Sequence, residues 1–372
     1  MEEWKEYKLG DVCSRLRSGK GIKADSVFNT GKYPVIGGNG VRGYADESNF
    51  EGQAAVIGRQ GAYCGNVRFF EGKAYMTEHA VVAVGNEYAD TRFLACLLSL
   101  MHLGNLSAQS AQPGISVQTL SKQHVCLPSV FYQRKVSAII KSLDDKIELN
   151  RKINANLEAQ AQALFNEMLM NEVFPRDRLL KDYAFINPTR TLKKGELARY
   201  IDMTSLPTKG SFPSDWVDKL YNGGMKFQNG DTLMARITPC LENGKTAYIN
   251  FLKKDEIAFG STEYIIMAPH EGMPSEMFYF LARNEDFVSY AVAHMNGSSG
   301  RQRVSASDIE NYIMPDIPIH LIEQFGMRAN VIMETIKTNS IESRRLASLR
   351  DTLLPRLMSG ELNVFDKPND QS

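Results

Sequence analysis

The side chains that could cut or modify a substrate are few in this chain of 372 residues. The densest group of carboxylates beside a lysine, of the kind a metal-dependent nuclease needs, is DDKIE at 144–148. It lies in a stretch of helical periodicity, where charged residues usually mark the solvated face. Glu78 and His79 adjoin one another in a predicted strand, where neighbouring side chains point to opposite faces. We therefore predict no catalytic group and expect the chain to be non-catalytic by itself.

Cofactor and metal motifs are also missing from the sequence. The glycine-rich segment GGNGVRG at 37–43 fits neither GxxxxGK[ST] nor GxGxxG. INPT at 186–189 is not the Asn/Asp-Pro-Pro-Tyr-type motif with which an amino-methyltransferase holds a flipped base. The five cysteines are scattered, with no CxxC pair and no Cys–His pair at ligand spacing. We expect this chain to bind no metal and no cofactor, and its thiols to be reduced.

The overall composition narrows the class of protein. Lys and Arg total 43, as do Asp and Glu, and a net charge of zero argues against coating nucleic acid by charge alone. The first residues, MEEWKEYKLG, are polar and acidic, which is not typical of a signal peptide. No apolar run is long enough to span a bilayer. The length predicts two domains with connecting structure, and we expect a cytoplasmic protein that does not contact membranes.

Two segments of the chain repeat one another at a distance of 189 residues. SAQSAQPGISVQTL at 107–120 and NGSSGRQRVSASDI at 296–309 both pass from small polar residues to an Ile/Val-Ser pair. An apolar residue follows four positions after the serine, so that Ser116 matches Ser305. A Pro-containing apolar segment comes after each copy. A period this long indicates a duplicated half-protein and not a solenoid.

Each copy continues into a predicted long helix, from about 133 to 169 and from about 322 to 358. Apolar residues in both helices follow the alternating four-and-three spacing of a heptad seam. Polar residues interrupt both seams at the same heptad positions. Two amphipathic helices could simply be separate core elements, but the shared interruption favours a pair packed on each other. The interrupting residues are Asn150 and Asn154 in the first helix, and Asn339 and Ser343 in the second.

Antiparallel packing of the two helices places these polar residues opposite one another. Aligning the first seam residue of one helix with the last of the other makes Asn150 face Ser343, and Asn154 face Asn339. A parallel pair would also match Asn150 with Asn339, so the layer alone does not decide the direction. The chain path favours the antiparallel pair, because the intervening residues begin where the first helix ends. A buried polar layer costs stability but fixes register, and we predict that role for these four residues.

The regions outside the helices are rich in short predicted strands. Apolar runs such as AAVIG at 54–58 and TLMAR at 232–236 alternate with Gly- and Asn-rich turns. In each half, a strand ends near an arginine (Arg59 or Arg236) and a later Thr-Glu pair opens a second apolar strand. We predict an α+β fold in which two similar β-rich domains are separated by two long antiparallel coiled-coil helices. An internal pseudo-twofold duplication relates the halves.

The helices and the long-period duplication resemble the specificity subunits of type I restriction–modification systems. The similar residues are KIELNRKINANLEAQAQALF at 146–165, LRDTLLPRLMSGEL at 349–362, WKEYKLGDVC at 4–13 and GISVQTL at 114–120. The resemblance covers essentially the whole chain, although KDYAFINP at 181–188 departs from the family's usual start to its second domain. It implies a first target-recognition domain at 1–131, a first spacer helix at 132–170, a second target-recognition domain at 171–320, a second spacer helix at 321–360 and a polar C-terminal tail at 361–372.

The same resemblance implies the partners of the chain. Each target-recognition domain would read one part of a split site in double-stranded DNA, while the helices set the spacing and bind two methylation (M) subunits. Restriction (R) subunits would join the complex for cleavage. S-adenosylmethionine, ATP and Mg would belong to these partner subunits and not to this chain.

Candidate DNA contacts follow from the side chains that suit them. Arg, Lys, Asn and Gln read base edges in the major groove, while exposed lysines contact phosphates. Each candidate could equally be an ordinary solvated residue, and their occurrence in equivalent loops of both halves favours the DNA role. A protein-binding scaffold with two β-rich domains around a coiled coil is the alternative function. The candidates are Lys20, Lys23, Arg59, Gln60, Gln109 and Gln112 in the first half, and Arg236, Thr238, Lys245, Ser299, Arg301 and Gln302 in the second.

Overall fold

The computed structural model describes residues 3–107, 113–170, 174–298, 300–362 and 364. The chain divides into two compact units. Unit 1 comprises Met1–Asp145 and Leu346–Ser372, and unit 2 comprises Lys146–Arg345. Both long helices therefore contribute residues to both units.

Unit 1 is built on a six-stranded mixed sheet with the order β2-β7-β5-β6-β3-β4. All neighbours in this sheet are antiparallel except β3 and β6, and β1 pairs with β8 in a separate antiparallel ribbon. The strands are β1 (Lys5–Lys8), β2 (Cys13–Ser18), β3 (Tyr33–Gly37), β4 (Gly40–Ala45), β5 (Phe50–Gly58), β6 (Val67–Met76), β7 (Ala80–Gly85) and β8 (His124–Leu127). The helices are α1 (Thr91–Leu100), α2 (Val117–Ser121) and the first part of α3 (Val130–Leu169).

The run AAVIG forms the buried part of β5. Ala55 and Ile57 join the core cluster that contains α1 and α3, whereas Ala54 and Val56 join a smaller cluster on the other face. Because both faces are covered, this strand is continuously apolar and does not alternate with polar residues. The end of β5 is thereby held rigidly in the centre of the sheet.

Unit 2 contains two four-stranded sheets, with the orders β10-β17-β14-β15 and β12-β11-β16-β13. Strands β11 and β16 are parallel, and β9 forms a small ribbon with β18. The strands are β9 (Arg178–Leu179), β10 (Ala184–Ile186), β11 (Leu197–Ile201), β12 (Val217–Leu220), β13 (Met225–Phe227), β14 (Thr232–Ala235), β15 (Thr246–Tyr248), β16 (Ala258–Gly260), β17 (Tyr264–Pro269) and β18 (Ile313–Met314). The helices are α4 (Glu276–Ala282), α5 (Glu285–Ala293), α6 (Ala306–Glu310) and, with the rest of α3, most of α7 (Ile319–Met358).

The central strands of unit 2 repeat the design of unit 1. In β17, Ile265 faces the cluster that includes α4 and the long helices, and Ile266 faces the cluster of the second sheet. In β14, Met234 faces the first of these clusters and Leu233 faces the second. Strands β14 and β17 thus correspond to β5 and β7, and the duplication predicted from the sequence extends to the sheet cores.

The repeated Ser positions cap equivalent short helices. Ser116 Oγ accepts a hydrogen bond from Thr119 N (2.9 Å) at the start of α2, and Ser305 Oγ accepts one from Asp308 N (3.0 Å) at the start of α6. A capping hydroxyl satisfies an otherwise unpaired N–H of the first turn. The sequence repeat therefore marks the entry into a helix in both units.

The start of the second domain also matches the first, although its sequence departs from the family pattern. Leu9 N donates to Gln123 O (2.8 Å), and Leu180 N donates to Tyr312 O (2.9 Å). Both leucines are fully buried and open a short 3₁₀ turn. The segment LKD thus takes the place of LGD, and only the buried leucine and the aspartate are common to both.

The two long helices have 40 residues each and start and end at positions 189 apart. They start at 130 and 319, a few residues before the periodic pattern predicted. In α3 the hydroxyl of Ser129 accepts from Tyr132 N (3.3 Å), so the helix begins at a cap that precedes the first seam residue. Hydrophobic periodicity reports the packed face of a helix and not its cap.

The helices are antiparallel, and the polar layer has the predicted partners. Asn150 Nδ2 donates to Ser343 Oγ (3.2 Å) and also to Glu342 Oε2 (2.8 Å). Asn339 Nδ2 donates to Asn154 Oδ1 (2.8 Å). The antiparallel arrangement in the predicted fold is confirmed, and Glu342 is an additional member of the layer that the seam pattern did not include.

Towards the end of α3 the buried face moves by one residue from the predicted seam. The predicted seam runs from Asn150 and Asn154 to Leu164 and Met168. These last two residues are only partly covered, whereas Phe165 and Leu169 are buried. The ring of Phe165 contacts that of Phe280 on α4. This part of the helix packs against the β-rich part of unit 2 as well as against α7, so its apolar face is wider than a coiled-coil seam.

Candidate nucleic-acid interface

In unit 1, the chain leaves β5 in an extended segment that pairs with the loop before α2. Ile115 N donates to Arg59 O (3.0 Å), and Gly61 N donates to Pro113 O (3.0 Å). Gln60 lies between these two hydrogen bonds and is exposed. The pairing holds two polar side chains, Arg59 and Gln60, beside the end of the loop that the sequence repeat identified.

Unit 2 has the same backbone arrangement at the end of β14. Val304 N donates to Arg236 O (3.0 Å), and Thr238 N donates to Gln302 O (3.1 Å). Arg303 occupies the position between them on the loop side. The structure therefore brings together three predicted residues, Arg236, Thr238 and Gln302, in the place where unit 1 has Arg59 and Gln60.

A third segment completes the arrangement in both units. Arg59 N donates to His79 O (2.9 Å), and Arg236 N donates to Glu263 O (3.0 Å). The prediction that equated the two Thr-Glu pairs was therefore wrong by one residue, because His79 and not Glu78 is equivalent to Glu263. Hydrogen-bond register defines the match, and a slip of one residue exchanges the faces of the side chains.

Glu78 and His79 also differ from the sequence prediction in their local structure. They lie in the turn between β6 and β7, where Ala80 N donates to Thr77 O (3.0 Å), and not in a strand. The turn brings the Glu78 Oε1 and His79 Nε2 atoms to 3.2 Å. Both side chains are about two-fifths exposed, which is typical of a surface ion pair.

The strongest charge pairing at the unit 2 loops joins Arg303 to Glu263. Arg303 Nε lies 3.1 and 2.9 Å from the two carboxylate oxygens, and Nη2 lies 2.7 Å from Oε1. Hydrogen bonds from Arg303 lower the pKa of Glu263, and the same contact raises the pKa of Arg303. Both groups are therefore charged at neutral pH. Arg301 and Gln302, the two residues before Arg303, were predicted from the sequence, whereas Arg303 was not.

Two further arginines of unit 1 were missed as candidates. Arg42 on β4 and Arg68 on β6 are exposed, and Arg68 Nη2 donates to Asn39 Oδ1 (3.2 Å) in the β3–β4 turn. This turn approaches the end of β5 closely, since a Cβ on Gly38 would lie 3.3 Å from the Cα of Gly58, the last residue of that strand. The signal for this placement was the glycine-rich segment GGNGVRG, whose glycines allow the close contact.

The two lysines proposed as phosphate contacts lie after β2. Lys20 is exposed, and its backbone N–H donates to Met76 O (2.9 Å). Lys23 is also exposed, but it lines a cavity of about 410 Å³ together with Asp46 and Glu47. Both lysines stay predicted candidates for phosphate contact.

The remaining predicted residues of unit 2 have different surroundings. Lys245 is partly buried, and its Nζ donates to Met203 O (2.7 Å), which gives it a structural contact within the unit. Arg301 is exposed, in a turn in which its N–H donates to Ser298 O (3.0 Å). Three predicted residues lie outside the part of the chain that the structure describes. These are Gln109, Gln112 and Ser299.

The carboxylates of DDKIE are held in ion pairs along the helices. Asp144 accepts from Arg350 Nη1 (2.8 Å), Lys146 pairs with Glu342 (3.1 Å), and Glu148 accepts from Arg151 Nε (2.7 Å). Residues 3–107, 113–170, 174–298, 300–362 and 364 contain no group of three or more His, Cys, Asp or Glu side chains placed to hold a metal ion. None of the helices in this described part is long and apolar enough to cross a membrane.

The fold and the paired loops define a duplicated protein. Each unit presents polar side chains from the same backbone arrangement, here called the frame. The frame comprises residues 59–61, 79 and 113–115 in unit 1 and residues 236–238, 263 and 302–304 in unit 2. Residues 1–159 match the family described as "Type I restriction modification DNA specificity domain". This match covers less than half of the chain.

Several named specificity subunits and one solved structure are also similar to this chain. The chain is 36% identical over 146 residues to the type I restriction enzyme EcoprrI specificity subunit of Escherichia coli, a match that spans 38% of this chain and 36% of the relative. The EcoAI specificity subunit of Escherichia coli is also similar to this chain, and the match spans 29% of its length. The HindI specificity subunit of Haemophilus influenzae is 22% identical, with 97% of this chain and all of the relative covered. In fold, the chain resembles the crystal structure of the S subunit from M. genitalium (TM-score 0.65, 14% identity, 96% of each chain covered).

Proposed function

We propose that this chain is the DNA-specificity subunit of a type I restriction–modification complex and that each unit reads one half of a split, asymmetric duplex site. The observation that supports this most strongly is the backbone frame formed by the ends of β5 and β14. Both frames have an arginine at the same point, Arg59 or Arg236, held by hydrogen bonds from the same two directions. The flanking positions differ in chemistry, as reading of two different sequences requires.

The side chains at these positions suit base edges and phosphates. An arginine guanidinium can donate two hydrogen bonds to guanine, and a glutamine amide such as Gln60 can pair with adenine. Exposed cations such as Lys20 and Arg42 suit the phosphate backbone, where contacts position the protein without reading sequence. We assign base reading to the paired loops and phosphate contact to the exposed cations around them.

In this proposal, partner subunits carry out the chemistry. Two methylation subunits bind the chain and transfer methyl groups from S-adenosylmethionine, and restriction subunits supply ATP- and Mg-dependent cleavage. The chain acts in the cytoplasm, where the double-stranded DNA and these partners are present. The polar layer at Asn150, Asn154, Asn339 and Ser343 keeps the helices in one register.

The proposal is tested by mapping DNA methylation. The chain is expressed with a matching methylation subunit in a host without adenine methylation, and modified bases are located by long-read sequencing. We expect methylated adenines in one split, asymmetric motif with a fixed gap, and none when the methylation subunit is expressed without this chain. An assembled, soluble complex that adds no methylation would contradict the DNA role and favour the protein-binding scaffold.

A further inference from the structure

The frames of the two units hold different side chains at two equivalent positions. In unit 2 these positions hold Glu263 and Arg303, which form an ion pair with three short N–O contacts. In unit 1 the matching positions hold His79 and Gly114, so that no side chain extends from the loop position. These positions lie beside the arginine that both frames contain, Arg59 in unit 1 and Arg236 in unit 2. Unit 2 therefore has a charged group there for which unit 1 has no counterpart.

Arg303 is fixed by its backbone as well as by its side chain. Its N–H donates to Asn296 O (2.9 Å), and its carbonyl accepts from Asn296 N (3.0 Å). On the other side it lies opposite Ile237, at the end of β14. Residue 303 is thus the middle of a three-segment backbone arrangement, and its Cα cannot move without breaking hydrogen bonds on both sides.

The guanidinium of Arg303 is engaged by Glu263 along one edge only. Nε and Nη2 contact the carboxylate, and Nη1 donates one hydrogen bond to Arg301 O (3.2 Å). A guanidinium has five N–H groups, so one on Nη1 and one on Nη2 remain for another acceptor. The side chain is 39% exposed, while that of Glu263 is 26% exposed. The arginine is therefore oriented by the carboxylate while part of its side chain stays exposed to solvent.

We propose that Arg303 is a specificity-determining residue of unit 2 that reads a guanine through its outer N–H groups, and that Glu263 is the positioning residue that orients it. The inference rests on the proposed DNA role. Guanine offers two adjacent acceptors in the major groove, N7 and O6, which match a guanidinium donor pair. Holding the side chain before binding reduces the entropy that binding would otherwise cost. Unit 1, with Gly114 at this position, reads its half-site without such a residue.

The test compares methylomes of complexes that contain single variants. Wild type is measured first, and only a split motif in wild type makes the comparison meaningful, so failure of the proposed function is seen separately. With Arg303→Lys, we expect one G·C pair of a single half-site to become degenerate, because lysine cannot present the planar donor pair. Discrimination at that base pair should fall roughly 10- to 100-fold, and the other half-site should be unchanged.

Glu263→Gln tests the positioning role with a side chain of the same shape. It should relax the same base pair and no other, whereas Glu263→Asp should retain part of the discrimination because it keeps the charge. Arg178→Lys is the matched control, since Arg178 is an arginine of unit 2 whose ion pair with Asp316 (3.1 Å) lies outside the frame. Its motif should equal that of wild type.

Two results would overturn the proposal. One is an unchanged motif for Arg303→Lys with methylation intact. The other is a uniform loss of methylation across all sites from a folded, assembled complex, which would assign Arg303 a structural or phosphate-binding role. Thermal denaturation of the complex shows whether Arg303→Lys folds. If it does not, Glu263→Gln becomes the test. Relaxed recognition at one base pair then supports the proposal, and an unchanged motif contradicts it.

Discussion

Asp231 and Arg190 form a buried ion pair just before strand β14. Arg190 Nη2 lies 2.7 Å from Asp231 Oδ1, and the two side chains are 9% and 1% exposed, respectively. Burial raises the pKa of Asp231 from 3.8 to about 6, against the opposing effects of Arg190 and of a hydrogen bond from Gln228 N. The desolvation cost of the carboxylate therefore exceeds the gain from its partner. Pairs of this kind are weak sources of stability at neutral pH.

This raised pKa predicts how the stability of the protein depends on pH. Between about pH 4 and 6 the folded chain binds the Asp231 proton and the unfolded chain releases it, so the free energy of unfolding falls as the pH rises. The contribution amounts to roughly 3 kcal/mol over that window. Asp231→Asn cannot titrate, so its destabilisation relative to wild type should be largest near pH 4 and should shrink towards pH 7. Urea denaturation at several pH values measures this difference, and parallel pH profiles would contradict it.

Several residues that hold the loops of unit 2 together could not be predicted from the sequence. Arg283 is an example, because its Nη1 and Nη2 donate to the carbonyls of Thr208 (2.7 Å), Gly244 (2.6 Å) and Gly210 (2.7 Å). Backbone carbonyls are present at every residue, so no side-chain pattern marks the loops that converge on one arginine. Arg303 was missed for a different reason, because its side-chain partner Glu263 is 40 positions away in the sequence.

At the scale of elements, the long helices were the most predictable part of the fold. Their seam pattern predicted the polar layer and, once the chain path had favoured the antiparallel direction, the facing pairs, because heptad spacing and a polar interruption restrict the possible alignments. The strand core AAVIG was also located correctly within β5, and TLMAR matches β14 except for Arg236, which follows the strand. The register between equivalent strands was not predictable, because the Thr-Glu letters repeat while the hydrogen-bond pattern is shifted by one residue.

The polar layer of the helix pair gives a prediction at this scale. Asn339→Ala removes the donor to Asn154 Oδ1 (2.8 Å) and leaves that acceptor without its partner, so it should lower the free energy of unfolding by about 1–2 kcal/mol. Asn150→Leu should cost less. The Oδ1 of Asn150 is buried and has no hydrogen-bond partner among the described residues, and Glu342 keeps its contact with Lys146 (3.1 Å).

Urea denaturation of both variants at neutral pH measures this order. Wild type and Thr338→Ala provide the references, since Thr338 is exposed on the same helix as Asn339 and its hydroxyl bonds only to its own helix, at Glu334 O (2.9 Å). If Asn150→Leu proved the more destabilising change, the donor contacts of Asn150 would outweigh its unsatisfied oxygen. The role assigned to the layer would then shift from register to stability.

At the scale of the whole molecule, the duplication explains why one sequence predicts so much of two units. Equivalent helices, capped turns and central strands recur, so that the sequence of each half independently predicts the same backbone arrangement. The side chains that differ between the frames are the ones for which the repeat gives no information. Sequence comparison of the halves therefore predicts the common scaffold well and the differing side chains poorly, and only the hydrogen-bonded geometry shows the ion pair of Glu263 and Arg303.

The charge of the whole molecule gives the last prediction. With 43 acidic and 43 basic residues, the chain has no net attraction for DNA, so binding has to come from local groups of cations. Each phosphate that the complex neutralises should still contribute a slope of about −0.9 to the logarithm of affinity against the logarithm of salt concentration. We expect Lys20→Ala to reduce the slope by about 1 without changing the methylated motif. Lys73→Ala should leave it unchanged, because Lys73 is already paired with Glu51 (3.2 Å).

Fluorescence anisotropy provides the measurement, with the complex of this chain and its methylation subunits titrated onto a labelled duplex at 50 to 200 mM salt. The methylation subunits contribute their own phosphate contacts, so the informative quantity is the difference between variants and not the total slope. Equal slopes for wild type and Lys20→Ala would remove Lys20 from the phosphate contacts. An affinity that hardly varied with salt would mean that the complex binds without releasing counterions. A protein that reads duplex DNA through phosphate contacts cannot do this. The protein-binding alternative would then explain the two units better.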